Sequence, residues 1–263
     1  MRITAILATY NEERFIANCL KHLFRQGVEV YLMDNDSEDE TVAIARRYLD
    51  HGLIGMERFP RDSVFQLERQ LKRKEELAAT LPGDWFMHLD ADEIHTPARS
   101  DRTLAQALAQ VEDSGYNAVN FQEYTFTPTQ ESPDHDHAEY MKTMHYYYPF
   151  TPRFPHRLNA WKRQPGRVDL ATSAGHIVQF PGLHMCPNSF CMRHYLFLSA
   201  AHAQQKYGRM VYDPVELSRG WYGTRKNLRP RDVRLLRQAD MRLYISDERF
   251  DPSNPLTRHP LFD

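Results

Sequence analysis

Three carboxylates crowd the stretch Leu89-Asp90-Ala91-Asp92-Glu93. On an extended backbone, residues two apart point the same way, so Asp90 and Asp92 can converge on one point. Two carboxylates that close repel and need a counter-charge. A divalent cation with oxygen ligands supplies it, and such a cation commonly also holds substrate phosphates. An Asp-x-Asp alone is also an ordinary feature of a solvated loop, so the setting matters. Pro82-Gly83-Asp84 marks a turn, and Trp85 to Leu89 reads as a buried strand of a parallel sheet. Loops leaving the carboxyl ends of such strands form the usual ligand crevice of an open α/β sheet.

Two more polar clusters follow apolar runs near the amino terminus. Arg2 to Ala8 reads as a strand ending in Thr9-Tyr10-Asn11-Glu12-Glu13, and Val28 to Met33 as a strand ending in Asp34-Asn35-Asp36-Ser37. In a parallel sheet both clusters share one edge, where short carboxylate, hydroxyl and amide groups can bond a base or a ribose. Helix capping accounts for Asn11 and Ser37 equally well, but it does not require Asp34 and Asp36 together. Arg61 and Arg69, shortly before the Asp90 strand, can face a diphosphate. The other charges of that segment, Lys72, Arg73 and Lys74, read as solvated.

The elements that position these residues alternate. Phe15, Ile16, Cys19, Leu20, Leu23 and Phe24 recur at helical spacing, with Asn11 as cap and Gly27 as stop. Ser37 and Glu40 have capping-box spacing before a helix through Tyr48. Leu53 to Phe59 reads as a strand, Ser63 to Leu81 as a helix capped by Ser63 with Gln66, and Asp101 as the cap of a helix through Glu112. Asn117 to Phe126 is a strand containing Glu123. Strand, helix, strand, helix predicts a right-handed parallel crossover and an α/β class. The expected division is 1–127 as a nucleotide-binding half, 128–249 as an acceptor-binding half of the same domain, and 250–263 as a loosely held tail.

After Pro128 the character changes. Thr129 to His137 is a polar loop, and Tyr146-Tyr147-Tyr148 an aromatic run that can close over a ligand. Asp169, His176 and His184 can line an acceptor crevice. Ser189 to Tyr207 and Asp232 to Tyr244 read as helices, the first placing Arg193 and His194 over the crevice. Gly220-Trp221-Tyr222-Gly223 reads as a flexible aromatic segment amid Arg219, Arg225, Lys226, Arg229, Arg231 and Arg234.

Composition bounds the class. A formal net charge of -2 gives no reason to expect nucleic-acid binding. Cys19, Cys186 and Cys191 make no disulfide framework and fit a reducing compartment. There is no apolar run of membrane-spanning length, and the first residues read as a strand. A cytoplasmic enzyme is expected, with peripheral membrane association open and oligomeric state unspecified.

Taken in order, Ala8-Thr9-Tyr10-Asn11-Glu12, Asp34-Asn35-Asp36-Ser37-Glu38-Asp39 and Leu89-Asp90-Ala91-Asp92-Glu93 resemble the glycosyltransferases of family 2 with the GT-A fold. His194-Tyr195, Ser199 and Lys206 resemble the end of a soluble bacterial subgroup. The resemblance implies a single Rossmann-like mixed central sheet flanked by helices, with an acceptor-side carboxyl-terminal region. It implies an enzyme that moves a sugar from a nucleotide-diphospho-sugar, UDP-sugars favoured, to a hydroxyl acceptor such as a surface-polysaccharide precursor or a lipid-linked sugar. It places Thr9, Asn11 and Glu12 in the nucleoside pocket, Asp34 on the base and Asp36 nearby. Asp92 becomes a direct ligand of Mn2+ or Mg2+, and Asp90 a ligand partly through water or the ribose. A later histidine, His194 before His184, is the candidate extra ligand. Inversion needs a general base. The chain lacks a Glu-Asp pair after the metal motif, which leaves Glu123 and Asp169, while Glu93 is structural or acceptor-binding. A nucleotidyltransferase or pyrophosphorylase acting on sugar 1-phosphates is the alternative enzyme, but the first loop lacks a glycine-rich phosphate cradle. A non-catalytic nucleotide-sugar-binding protein is the other alternative.

Overall fold

The computed structural model describes residues 1–208, 210–222 and 228–261. In chain order the main elements are β1 (Ile3–Thr9), α1 (Ile16–Arg25), β2 (Glu29–Asp34), α2 (Thr41–Arg46), β3 (Leu53–Arg58), α3 (Leu67–Thr80), β4 (Trp85–Leu89), β5 (Glu93–Thr96), α4 (Leu104–Asp113), β6 (Ala118–Phe126), α5 (Tyr140–Thr143), β7 (Tyr146–Phe150), β8 (Leu158–Lys162), β9 (Phe190–Tyr195), α6 (Ala200–Ala203), α7 (Pro214–Ser218) and β10 (Arg242–Leu243). They form two compact units. The first holds Met1–Pro60, Leu67–Gln122 and Phe154–Met192; the second holds Arg61–Gln66, Glu123–Arg153 and Arg193–Asp263. The chain therefore passes between the two units several times.

In the first unit β4, β1, β2 and β3 lie side by side and parallel, with Leu7 opposite Leu89 and Thr9 opposite Asp34. β8 joins antiparallel to β4, and the first residues of β6 join antiparallel to β8. This is the mixed α/β sheet of a Rossmann-like GT-A fold, as expected. β1 and β4 are buried on both faces, which explains why their sequences run apolar instead of alternating. The apolar stripe Ile16, Cys19, Leu20 and Leu23 buries one face of α1, and Gly27 ends that helix at φ +75°, open to a residue without Cβ.

Several local expectations fail for identifiable reasons. Asn11 does not cap α1; it sits at φ 55° and ties two loops together, while Phe15 takes the cap position without a side-chain bond. Ser37 likewise does not cap α2, which starts at Thr41 with Glu40 in the cap position. Asp62 and Ser63 both adopt positive φ, which is incompatible with helix, so α3 starts at Leu67. Thr103, not Asp101, caps α4, in a capping box with Gln106. Lys74 is not a solvated charge but a buried one.

The second unit has an aromatic interior. The later residues of β6 pair antiparallel with β7, which pairs with β10. Phe250 stacks on Tyr124 at 3.9 Å, His259 stacks on Phe150 at 3.8 Å, and Leu261 is fully buried. Of the tail, Phe250, His259 and Leu261 are thus packed rather than loosely held. The segment 189–207 is not one helix. Phe190, Met192 and His194 are buried while Cys191 and Arg193 are less so, a period of two that makes β9 a strand. Ser199 then caps the short α6. Instead of a helix over 232–244 there are turns at Pro230–Asp232 and Gln238–Asp240, each closed by an arginine–aspartate pair three apart. Of the basic segment, Gly223, Arg225 and Lys226 lie outside the described residues.

Candidate functional site

The carboxyl edge of the parallel strands gathers the polar clusters of the first unit. Thr9 and Asp34 end β1 and β2 opposite one another, and both are buried. Asp34 Oδ2 accepts from the Ser37 amide at 3.2 Å. Thr9 Oγ1 and Asp34 Oδ1 are buried with no hydrogen-bond partner. Leaving such a group unsatisfied costs about 1–3 kcal/mol, so two of them side by side are a candidate position for a ligand or an ordered water.

The loops around them are laced together by side chain-to-backbone bonds. The Asn11 amide donates to Ser37 Oγ at 3.0 Å and Asn11 Oδ1 accepts from the Glu38 amide at 2.8 Å. The Glu12 amide donates to Thr41 Oγ1 at 2.8 Å. Asn35 fixes the floor: its Nδ2 donates to the Phe59 carbonyl at 2.9 Å, and its Oδ1 accepts from Gln70 Nε2 at 2.8 Å. Asp36, at φ 62°, is paired with Arg58. Arg69 lies over the Phe59 ring at 4.8 Å and donates to the Pro60 carbonyl at 3.1 Å. Arg61 belongs to the second unit, over Phe65.

Asp90 is exposed, whereas Asp92 and Glu93 are buried. Burial pushes the Cys19 thiol well up, reinforced by Glu93, Asp92, Glu12 and Asp90. Both acidic loops therefore act on the same buried face of α1, and that thiol stays protonated. Among the described residues no three His, Cys, Asp or Glu side chains group to hold a metal. Asp90 and Asp92 still fit a hard cation that completes its coordination with phosphate oxygens and water, since such sites take only one or two carboxylates from the protein. They do not make an all-protein metal cage.

The remaining candidates are dispersed. His184 is exposed; its Nδ1 is 3.0 Å from the Gly115 carbonyl, and its amide donates to Asn117 Oδ1. Asn117 pairs with Lys162 beside Trp85, at the amino end of β4, so His184 sits on the sheet edge opposite Asp90 and cannot complete its ligand set. Asp169 exchanges backbone bonds with Gln179, and its Oδ1 accepts from the Thr172 amide at 2.9 Å, closing a turn. His194 is in the second unit, Nδ1 2.7 Å from Glu123 Oε1; Glu123 also accepts from Thr125 Oγ1 at 3.1 Å. Arg193 lies over the Tyr244 ring at 5.5 Å.

Spacing alone did not reveal the interior beneath Asp90. Lys74 on α3 reaches His88 Nδ1 at 2.7 Å and the Leu89 carbonyl at 3.5 Å. Burial pushes the Lys74 ammonium down to about 8, partly opposed by Asp90 and Glu93. Burial and then Lys74 hold the His88 imidazole well below its usual range, so it is the neutral acceptor of the contact. The folded value of Lys74 lies below its ordinary 10.5, so the unfolded chain binds that proton more tightly. Its contribution to stability is therefore lowest below pH 8 and rises toward pH 10.5. Chemical denaturation at pH 8 and pH 10 should show the wild-type protein gaining stability relative to Lys74→Met at the higher pH. A constant difference would contradict the buried-cation reading.

Gly175 closes the other side of His88. It has φ +82°, and a Cβ there would meet His88 Nε2 at 2.7 Å and Leu71 at 3.0 Å. The ring is buried and held by Lys74, so it cannot yield cheaply. Gly175→Ala should destabilise the fold by about 1–3 kcal/mol, read as a lower denaturation midpoint.

Comparison with known proteins gives a family. No curated protein matches the chain. Among solved structures, residues 1–349 of S. aureus TarS in complex with UDP are 14% identical over 78% of this chain and 66% of that one, with a TM-score of 0.44. The full TarS structure is 13% identical over 74% of this chain and 37% of its own, also at 0.44. Glucosyl-3-phosphoglycerate synthase from Mycobacterium tuberculosis, in complex with Mn2+, UDP and glucosyl-3-phosphoglycerate, is 19% identical over 47% of this chain and 44% of its own, at 0.32. The chain thus spans between about a third and two thirds of these structures, and likenesses this distant carry no mechanistic weight. The family comparison is more extensive: the model of "Glycosyl transferase family 2" matches residues 4–192, which hold all three acidic and amide clusters of the sheet edge. The chain belongs to glycosyl transferase family 2.

Proposed function

We propose that this glycosyltransferase moves a sugar from a nucleoside-diphospho-sugar to a hydroxyl acceptor, with inversion and with the help of a divalent cation. The observation that carries the donor reading is the neighbouring pair of buried, unpartnered oxygens, Thr9 Oγ1 and Asp34 Oδ1, on the sheet edge that also bears Asp90 and Asp92. A carboxylate only accepts hydrogen bonds. Asp34 therefore suits a base that donates to it, through a ring N–H as in uracil, thymine or guanine or through an exocyclic amino group as in adenine or cytosine. UDP-sugars are the favoured donors, with Thr9, Asn11 and Glu12 around the nucleoside, Asp36 beside it, and Arg69 toward the diphosphate.

Asp90 and Asp92 would hold Mn2+ or Mg2+. When bound, the cation neutralises charge that develops on the departing nucleoside diphosphate. The protein's own task is to fix the diphosphate and to take a proton from the attacking hydroxyl. For that proton the candidates are two carboxylates, Glu123, whose Oε1 lies 2.7 Å from His194 Nδ1, and Asp169. His194 stays the candidate for an extra cation ligand. The acceptor class, a surface-polysaccharide precursor or a lipid-linked sugar, and a cytoplasmic setting in a soluble bacterial subgroup complete the reading. No helix among the described residues is long and apolar enough to cross a membrane.

The test is calorimetric titration with UDP-, GDP- and dTDP-sugars, with and without Mn2+. One nucleotide should bind in a Mn2+-dependent way. Asp34→Asn should weaken it roughly 10- to 100-fold, the value of about 1.5–3 kcal/mol for a hydrogen bond to a charged group. Absence of binding by every donor would overturn the reading.

A further inference from the structure

Glu93 is 2% exposed, and its two carboxylate oxygens face different partners. Oε2 accepts from the Asp90 amide at 3.1 Å, while the Glu93 amide donates back to the Asp90 carbonyl at 3.2 Å. The turn that carries Asp90 and Asp92 is therefore closed from inside by the side chain of its last residue. Oε1 lies 3.6 Å from Nη1 of Arg157, which is also buried, and His95 Nε2 is 3.7 Å from Oε2.

Arg157 is itself anchored. It immediately precedes β8, the strand antiparallel to β4 with Ala160 opposite Met87, so the start of β8 lies beside the end of β4. Its amide donates to Asn120 Oδ1 at 3.0 Å, its carbonyl accepts from the Phe121 amide at 2.9 Å, and its Nη1 is 3.2 Å from His176 Nδ1. Removing one member of a buried ion pair leaves the other charge uncompensated, which costs far more than the pair contributes when intact. Glu93 thus transmits the position of a rigid neighbouring strand to the Asp90 amide.

We propose that Arg157 and Glu93 are positioning residues whose buried pair sets the Asp90–Asp92 turn in the geometry that holds a cation and a diphosphate. The functional half rests on the donor reading given above; the structural half does not.

The experiment is a double-mutant cycle of Arg157→Met, Glu93→Gln and their combination, with Arg157→Lys as the conservative variant. Three quantities are read: hydrogen exchange at the amides of residues 90–93, the affinity for Mn2+ with UDP from calorimetry, and turnover. In Arg157→Met, exchange at the Asp90 amide should rise and Mn2+ affinity should fall about tenfold. Arg157→Lys should recover part of both. The double variant should be no worse than Arg157→Met, because the two residues act through one contact. In Glu93→Gln, saturating Mn2+ should restore turnover, since positioning rather than chemistry is lost. Unchanged exchange in both single variants would overturn the proposal. So would additive losses, or tighter Mn2+ binding in Arg157→Met, the sign expected if its charge merely repels the cation. If Arg157→Met does not fold, the charge-neutral double variant carries the same exchange and affinity readings. If the wild-type protein binds neither Mn2+ nor any nucleotide, the donor reading fails, while exchange at Asp90 still decides the pair.

Discussion

Asp92→Asn should reduce sugar transfer on the order of 1000-fold while leaving the fold intact. Asp92 is 4% exposed on a turn that follows a fully buried strand, so its place is fixed by the sheet and not by solvent. Loss of a cation ligand removes charge stabilisation from the leaving diphosphate, and effects of this class reach hundred- to thousand-fold in turnover. Asparagine keeps the volume and one oxygen, so no cavity forms and the melting temperature should stay close to wild type. Asp90→Asn should cost less, because Asp90 is exposed and its backbone amide, not its side chain, closes the turn. Initial rates with and without Mn2+, beside calorimetric donor binding, make the measurement. Full activity of Asp92→Asn would remove the cation from the proposed mechanism.

The second large effect should come from the general base: of Glu123→Gln and Asp169→Asn, one should lower kcat about 100- to 10,000-fold with donor affinity unchanged, the range associated with a positioned general base. Glu123 is 1% exposed, and its carboxylate is taken up by His194 and Thr125. Asp169 accepts from the Thr172 amide at 2.9 Å. Steady-state rates at saturating donor separate turnover from binding. A His194→Gln variant that lost Mn2+ affinity but kept kcat would support His194 as a metal ligand. Wild-type activity in both carboxylate variants would exclude both as the base.

The parallel strands and the edge residues were legible because their signals are local. An apolar run ending in Thr9, another ending in Asp34 and a third ending in Asp90 each state in a few residues where a strand stops and which polar groups lie at its end. α1 was equally legible, from Ile16, Cys19, Leu20 and Leu23 at one helical face and from Gly27. β9 was misread as helix although Phe190, Met192 and His194 alternate, because its apolar content also suits a helical stripe. The caps were misread for a different reason. Asn11, Ser37 and Ser63 have the chemistry of caps, but Asn11 and Ser37 bond across loops, and the chain at Ser63 takes a positive φ. Local preference was overridden by tertiary partners that spacing does not encode.

By itself, then, the sequence determined which polar residues gather at the carboxyl edge of the parallel strands: Thr9, Asn11, Glu12, Asp34, Asp36, Asp90 and Asp92 lie at or just beyond strand ends, and a strand end is a local property. Only the tertiary structure decided which charges are buried and what they face. Lys74 looked like one more solvated residue of a charged helix, yet it lies against His88 beneath Asp90. Arg157 carried no motif, yet it neutralises Glu93. His194 is bonded to a carboxylate distant in sequence. The physical reason is shared. A charged or polar side chain is buried only where a partner from another part of the chain meets it, and that pairing exists only once the strands have been laid side by side.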